Sequence, residues 1–210
     1  MAPANAGRTY LAAPLCQHEV EALLQAASST VPGLRAQALM AVCWRAAARV
    51  SEALHLEVGD VDMASGDLHL RVTKGGKPRR VALDPIGLGL VLRWLNARAR
   101  LTGTPGSGFV FCTSSGKPLT TSAVRRLVAR LGRQAGPERR AHAHALRHSF
   151  AVQAVRAGLA LLVVQAALGH ASLATTDRYV RHVAPEELLK AMRTRVWASQ
   201  DAVINPIERT

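Results

Sequence analysis

Cysteine, tyrosine, acidic charge and long apolar runs are all scarce in this 210-residue chain. The three cysteines, Cys16, Cys43 and Cys112, are odd in number, far apart and form no Cys-x-x-Cys pair. That argues against a disulfide framework or a thiolate zinc site; each reads as a small apolar core residue. No stretch in Met1–Leu15 has the continuous apolar core of a signal peptide, and the most apolar segment, 157–168, is too short to cross a bilayer. These absences predict a cytoplasmic protein with no membrane partner. No Gly-x-x-x-x-Gly-Lys-[Ser/Thr] loop is present, so nothing announces a nucleoside triphosphate. Tyrosine occurs twice, at Tyr10 and Tyr179.

Acidic residues number 14 against 27 Lys+Arg, giving a net charge of +13 and a pI near 11.2. The basic excess runs along the whole chain rather than in a tail. It favours a polyanionic partner, DNA or RNA. A GC-rich coding habit, which overuses Ala and Arg as in Arg93 to Arg100, is the competing explanation. Hydrophobic residues make up 49%, enough to fold rather than remain disordered.

Periodicity and punctuation predict a mainly α protein with a small antiparallel β-sheet, an α+β class. Residues 1–14 read as a flexible tail, 15–198 as one domain and 199–210 as a C-terminal tail. Helices are expected over about His18–Ala27, Leu34–Ala47 behind Pro32-Gly33, and a short turn at Ser51–Leu56. A hairpin follows, Asp67–Thr73 and Arg80–Leu83 about the Gly75-Gly76 turn. Further helices are expected from Pro85 to about Arg100, over Ala123–Gln134 with Thr121 or Ser122 as cap, over His144–Ala157 and over Leu161–Leu168. Pro185 opens a last helix to about Ala198, with Leu188, Leu189, Met192 and Val196 at helical spacing.

Several basic residues could do chemistry. His144 and Arg147 lie three apart and share a helical face; Arg147 offers a bidentate fork for phosphate. A solvated basic helix end is the commoner meaning of such a cluster. A metal site at His142, His144 and His148 is a second alternative, disfavoured because no carboxylate is near and Arg147 would crowd a cation. His170 follows Gly169 just past a helix end. Arg178 and Arg181 flank Tyr179 and favour its phenolate. Lys74 stands before two glycines, where it can reach a groove and act as a general acid, or simply be a solvated turn lysine. Arg49 could be a second phosphate fork held by Glu52, or half of a surface ion pair. Lys77, Arg79 and Arg80 flank the hairpin tip, and Arg126, Arg130 and Arg133 recur at helical spacing beside Arg125. Both sets are candidate DNA-phosphate contacts.

Order and spacing make these residues resemble the catalytic domain of the tyrosine recombinases, the phage-integrase family, from about Leu15 to Ala198. Arg49 stands in a Gly-Leu-Arg-[Ile/Val]-Ser-Glu-like box and Lys74 in a Gly-Lys-Gly-x-Lys-x-Arg-like turn. His144 and Arg147 match the His-x-Leu-Arg-His box, His170 the Leu-Gly-His box, and Tyr179 the nucleophile. The departures are Ala47-Ala48 where Gly-Leu is usual, and Thr73 where glycine usually precedes the lysine.

The resemblance implies that Tyr179 attacks a DNA phosphate, leaving a 3′-phosphotyrosine and a free 5′-hydroxyl. Arg49 and Arg147 would grip the non-bridging oxygens, with a further hydrogen bond from His170. Lys74 would protonate the 5′ oxygen, and His144 would assist proton transfer at the tyrosine or bind phosphate. No cofactor and no metal is implied. The partners implied are double-stranded DNA, a homotetramer on two DNA sites through the last helix, and an accessory DNA-binding protein. Family members usually carry a separate core-binding domain, and only a short tail precedes the first helix here, as in single-domain invertases. A type IB topoisomerase and a non-catalytic DNA-binding regulator of the same fold are the competing functions.

Overall fold

The computed structural model describes residues 14–71, 78–101 and 108–169. Lys74, Lys77, His170, Tyr179 and the last expected helix lie outside the described residues. The elements in chain order are α1 (Gln17–Ala26), α2 (Val31–Arg45), α3 (Val50–Leu54), a 3-10 turn (Val58–Asp60), β1 (Asp67–Leu70), β2 (Arg79–Ala82), α4 (Pro85–Arg98), α5 (Thr121–Ala135), α6 (Ala143–Arg156) and α7 (Leu161–Leu168).

Helix α2 is the central rod. Pro32 sits in its first turn, where its missing N–H costs nothing. From Ala36 onward nearly every side chain is buried, including Leu39, Met40, Val42 and Trp44, because α4 and α6 both pack on it. Such all-round burial requires small residues, and the alanines supply them. Gly33 is fixed by close approach: a Cβ there would lie 1.8 Å from the Ser28 carbonyl oxygen. Trp94 of α4 is fully buried, and its indole N–H donates to the Val110 carbonyl at 2.8 Å. That bond satisfies the single polar atom of a large apolar side chain.

β1 and β2 pair antiparallel, with Leu68 opposite Val81 and Leu70 opposite Arg79. Leu68 and Leu70 are buried while His69 between them is exposed, the period-two pattern of a sheet with one solvated face. β2 begins at Arg79, one residue before the expected Arg80. The cap of α5 also differs from expectation. Thr120, rather than Thr121 or Ser122, accepts from the Ala123 N–H, and the helix starts at Thr121, two residues before the expected Ala123. The helix ends at Gly136 in the left-handed conformation. Val124, Val128 and Leu131 form its buried stripe.

One core cluster runs from α1 through α6. A second, smaller one joins Ala47, Ala151, Val152, Ala154, Val164 and Leu168. The small cluster seats α7 on α6, at the place where α3 and β2 also arrive.

Candidate active site

Helix α3 has only five residues and cannot be stable by propensity alone. Its sequence supplies the remedy. Glu52, three residues after the extended Arg49, accepts the Arg49 backbone N–H at 2.7 Å, so one orphan donor of the helix start is satisfied. The same carboxylate accepts from the Arg49 guanidinium through Nη1 at 2.7 Å.

Glu52 is a hub rather than half of a pair. Its side chain is fully buried. Arg79 reaches it from β2 as a two-pronged fork, Nη1 to Oε1 at 2.9 Å and Nη2 to Oε2 at 2.8 Å. Arg147 approaches from α6, its Nη1 3.7 Å from Oε2. Burial pushes the Glu52 carboxyl up, but the hydrogen bonds from Arg79 and Arg49 outweigh it and hold the group below its ordinary 4.5. Glu52 is therefore ionised, and three guanidinium groups share one negative charge. The local excess is positive and belongs to groups held in fixed positions, the kind of field that stabilises charge on a phosphate.

Arg147 is almost entirely buried. It donates through Nη1 to the Ala47 carbonyl and through Nη2 to the Leu168 carbonyl. Arg79 Nε donates to the neighbouring Ala167 carbonyl at 2.9 Å. Two cations thus meet the last carbonyls of α7, where the helix leaves acceptors unpaired and the dipole favours positive charge. Gly169 turns there in the left-handed conformation, φ +58°. Cys43 lies beside the cluster, its thiol pushed up to about 12 by burial, with Arg147 pulling down and Glu52 pushing up. It is a neutral core residue and not a nucleophile.

His144 is exposed near the start of α6. Its ring meets that of His148 edge to face, centroids 4.3 Å apart. Helix phase makes His144 and Arg147 neighbours, but Arg147 turns into the protein while His144 stays at the surface. His142 caps α6, its Nδ1 accepting the Ala145 N–H at 3.1 Å. Burial and the nearby Arg140 charge lower its pKa. The ring nitrogen that a metal would need is thus in use as a helix cap. Among the described residues no three His, Cys, Asp or Glu side chains gather as a metal set.

The candidate DNA contacts divide. Arg79 belongs to the interior: its side chain is 10% exposed and its fork closes on Glu52. Where the sequence offers Arg79 as a tip-flanking phosphate contact, the fold turns its fork to that carboxylate. Arg80, on the opposite face of β2, is exposed and pairs with Asp67 at 2.8 Å. Arg126, Arg130 and Arg133 are exposed along α5, around a shallow surface hollow of about 450 Å³ that Leu127 also lines. Arg79 shares a strand face with Val81 rather than with Arg80, and that alternation was the available signal for its inward role.

Residues 14–186 match the family described as the Phage integrase family. The chain is 35% identical over 200 residues to the tyrosine recombinase XerD of Bifidobacterium longum, covering 90% of this chain and 64% of that protein. The crystal structure of XerA recombinase superposes with a TM-score of 0.75 at 27% identity, covering 90% of this chain and 65% of that one. XerH site-specific recombinase, in a post-cleavage complex with a palindromic difH substrate, gives 0.70 at 29% identity, covering 88% and 53%. The chain thus spans about half to two thirds of the length of these proteins. Among the described residues no helix is long and apolar enough to cross a membrane.

Proposed function

The chain belongs to the phage integrase family, and on that premise we propose that it cleaves and rejoins duplex DNA as a tyrosine-type site-specific recombinase. Residues 15–198 are its catalytic domain. The Tyr179 phenolate oxygen attacks the scissile phosphorus, the bond to the 5′ oxygen breaks, and Lys74 gives that oxygen its proton. The product is a 3′-phosphotyrosine and a 5′-hydroxyl. A 5′-hydroxyl from a second strand then attacks the phosphotyrosine and Tyr179 leaves. The phosphodiester energy is kept in the covalent intermediate, so the cycle needs neither nucleotide nor metal. Arg49 and Arg147 stabilise the non-bridging oxygens, His170 adds a hydrogen bond, and His144 handles the tyrosine proton or binds phosphate.

The observation that carries this reading is the Glu52 hub. It holds Arg49 against α3 and brings Arg147 beside it, so two arginines distant in sequence form one fixed cationic site. Lys77, Arg80, Arg126, Arg130 and Arg133 contact backbone phosphates. The working assembly is a homotetramer on two duplex sites in the cytoplasm, joined by an accessory DNA-binding protein.

The test is a suicide substrate: a nicked duplex carrying any inverted repeat found beside the chain's own gene. Wild type should become covalently attached to it and Tyr179→Phe should not. Strand exchange between two such sites, without relaxation of a single plasmid, distinguishes recombinase from topoisomerase. A wild type that forms no adduct on any of these repeats would sink the proposal.

A further inference from the structure

We propose that Arg79 is a positioning residue of the strand-transfer centre: it saturates the Glu52 carboxylate so that Arg49 keeps donors for the phosphate, and it pins the end of α7. This rests on the recombinase reading above and adds to it a residue that touches neither DNA nor the tyrosine.

Glu52 has two oxygens and a buried position, so it must collect several donors to remain ionised. Without Arg79, the guanidinium best placed to supply them is Arg49, which is tethered to the same short helix. Its fork would then close on the carboxylate with both prongs. With Arg79 present, Arg49 contacts Oε1 through Nη1 only, and its Nε and Nη2 engage no described residue. The Arg49 side chain is 27% exposed, against 10% for Arg79. One arginine is buried to neutralise the carboxylate and another is left half-exposed.

The third donor of Arg79 fixes a second element. Nε holds the Ala167 carbonyl, while Arg147 holds that of Leu168. The Arg79 side chain also fills the space beneath Gly169: a Cβ there would lie 3.0 Å from Nη1 and 3.2 Å from Cδ and Cζ. Glycine at 169 is thus favoured twice, by its positive φ and by the tight approach of Arg79. His170 is the next residue in the sequence. Lysine cannot replace Arg79, since one ammonium cannot make a planar two-pronged pair and also reach the helix end.

The experiment compares wild type, Arg79→Gln, Arg79→Lys and the double variant Arg79→Gln/Glu52→Gln. Four quantities are read: cleavage rate at saturating protein on the nicked repeat duplex, affinity for a random-sequence duplex over a salt series, melting temperature, and stability against pH without DNA. Arg79→Gln should cleave on the order of 100-fold more slowly, comparable to losing one transition-state donor, with the salt slope unchanged. Arg79→Lys should recover only part of that rate. The double variant should recover about tenfold over Arg79→Gln, because no carboxylate is left to capture Arg49. Without DNA, Arg79→Gln should move the acid-induced loss of stability to higher pH, since Glu52 has lost its main partner.

A salt slope reduced by about 1 in Arg79→Gln, with cleavage at saturation unchanged, would make Arg79 a phosphate contact and overturn the proposal. So would a double variant no faster than Arg79→Gln with cleavage falling only in step with melting temperature, which is a purely structural role. A wild type that forms no adduct overturns the recombinase reading and the catalytic half of this one together, whereas the DNA-free pH shift tests the Arg79–Glu52 link by itself.

Discussion

Two regions of this molecule use the same side chain in opposite ways. Around Glu52, three arginines from α3, β2 and α6 converge on one buried carboxylate and on the carbonyl ends of neighbouring elements. Along α5, Arg126, Arg130 and Arg133 stand exposed on a helix whose other face is the Val124, Val128 and Leu131 stripe. The first arrangement fixes guanidinium groups to a defined geometry, as stabilising a transition state demands. The second leaves them at the surface, the arrangement that counterion-releasing contacts to a phosphate backbone would demand. Charge alone does not separate the two; what each fork meets does.

The sharpest way to break this comparison is to remove the hub. Glu52→Ala leaves Arg49, Arg79 and Arg147 crowded without a counter-charge, and breaking such a buried pair costs about 3–5 kcal/mol. Urea unfolding should show that loss, while Arg130→Ala on α5 should change stability by less than about 0.5 kcal/mol. Acid gives the same contrast more gently. The Glu52 pKa in the folded chain lies below 4.5. Its stabilisation is therefore fully present above that pH and is lost as pH falls through the folded value. Below pH 4.5, wild type should lose stability faster than Glu52→Gln. Equal slopes would mean that Glu52 is not the hub.

The second prediction works on α5. Replacing Arg126, Arg130 and Arg133 together by alanine should reduce the salt slope of duplex binding by about one unit per arginine. Stability should hardly move, because these side chains are exposed and support no packing. If the slope is unchanged, the stripe is a solvated helix face and the two regions differ in burial only, not in partner.

Much of the first region was legible in the sequence and some of it was not. Arg49 and Glu52 are three apart at a helix start, a spacing that announces a side chain returning to the backbone. Prolines and glycines placed α2, α4 and the end of α7 to within a few residues, because those residues act through their own backbone. For Arg79, strand alternation marks the inward face but not the partner. Its burial depends on a carboxylate 27 residues away in sequence, and the pairing exists only once β2 is docked on α3 and α7. Thr120, Thr121 and Ser122 are all competent caps, and only the docking of the helix chooses Thr120 among them. The cap role of His142 is not legible, because a histidine nitrogen can serve a cation or a helix end equally well, and the fold uses it for the helix end.

The smallest expected effect separates strain from bonding within the arginine-rich region. Ala47 is the single non-glycine residue at positive φ among the described residues, φ +56°, at the position where the family usually has glycine. An alanine held there costs about 1–2 kcal/mol. Changing it to glycine removes that cost, adds about 0.4–1 kcal/mol of unfolded-state freedom and gives up a buried methyl of about 0.8 kcal/mol. The terms nearly cancel, so Ala47→Gly should leave the urea midpoint close to wild type. Ala38, equally buried in the middle of α2, has no strain to relieve. Ala38→Gly should cost about 1 kcal/mol in helix propensity, with the lost methyl adding to it. If both substitutions destabilise equally, Ala47 is not strained. If Ala47→Gly is neutral and cleavage is also unchanged, the carbonyl that Arg147 holds keeps its place without the alanine. The geometry of the cluster then comes from the hydrogen bonds of Arg79, Arg147 and Glu52, not from a strained residue beside them.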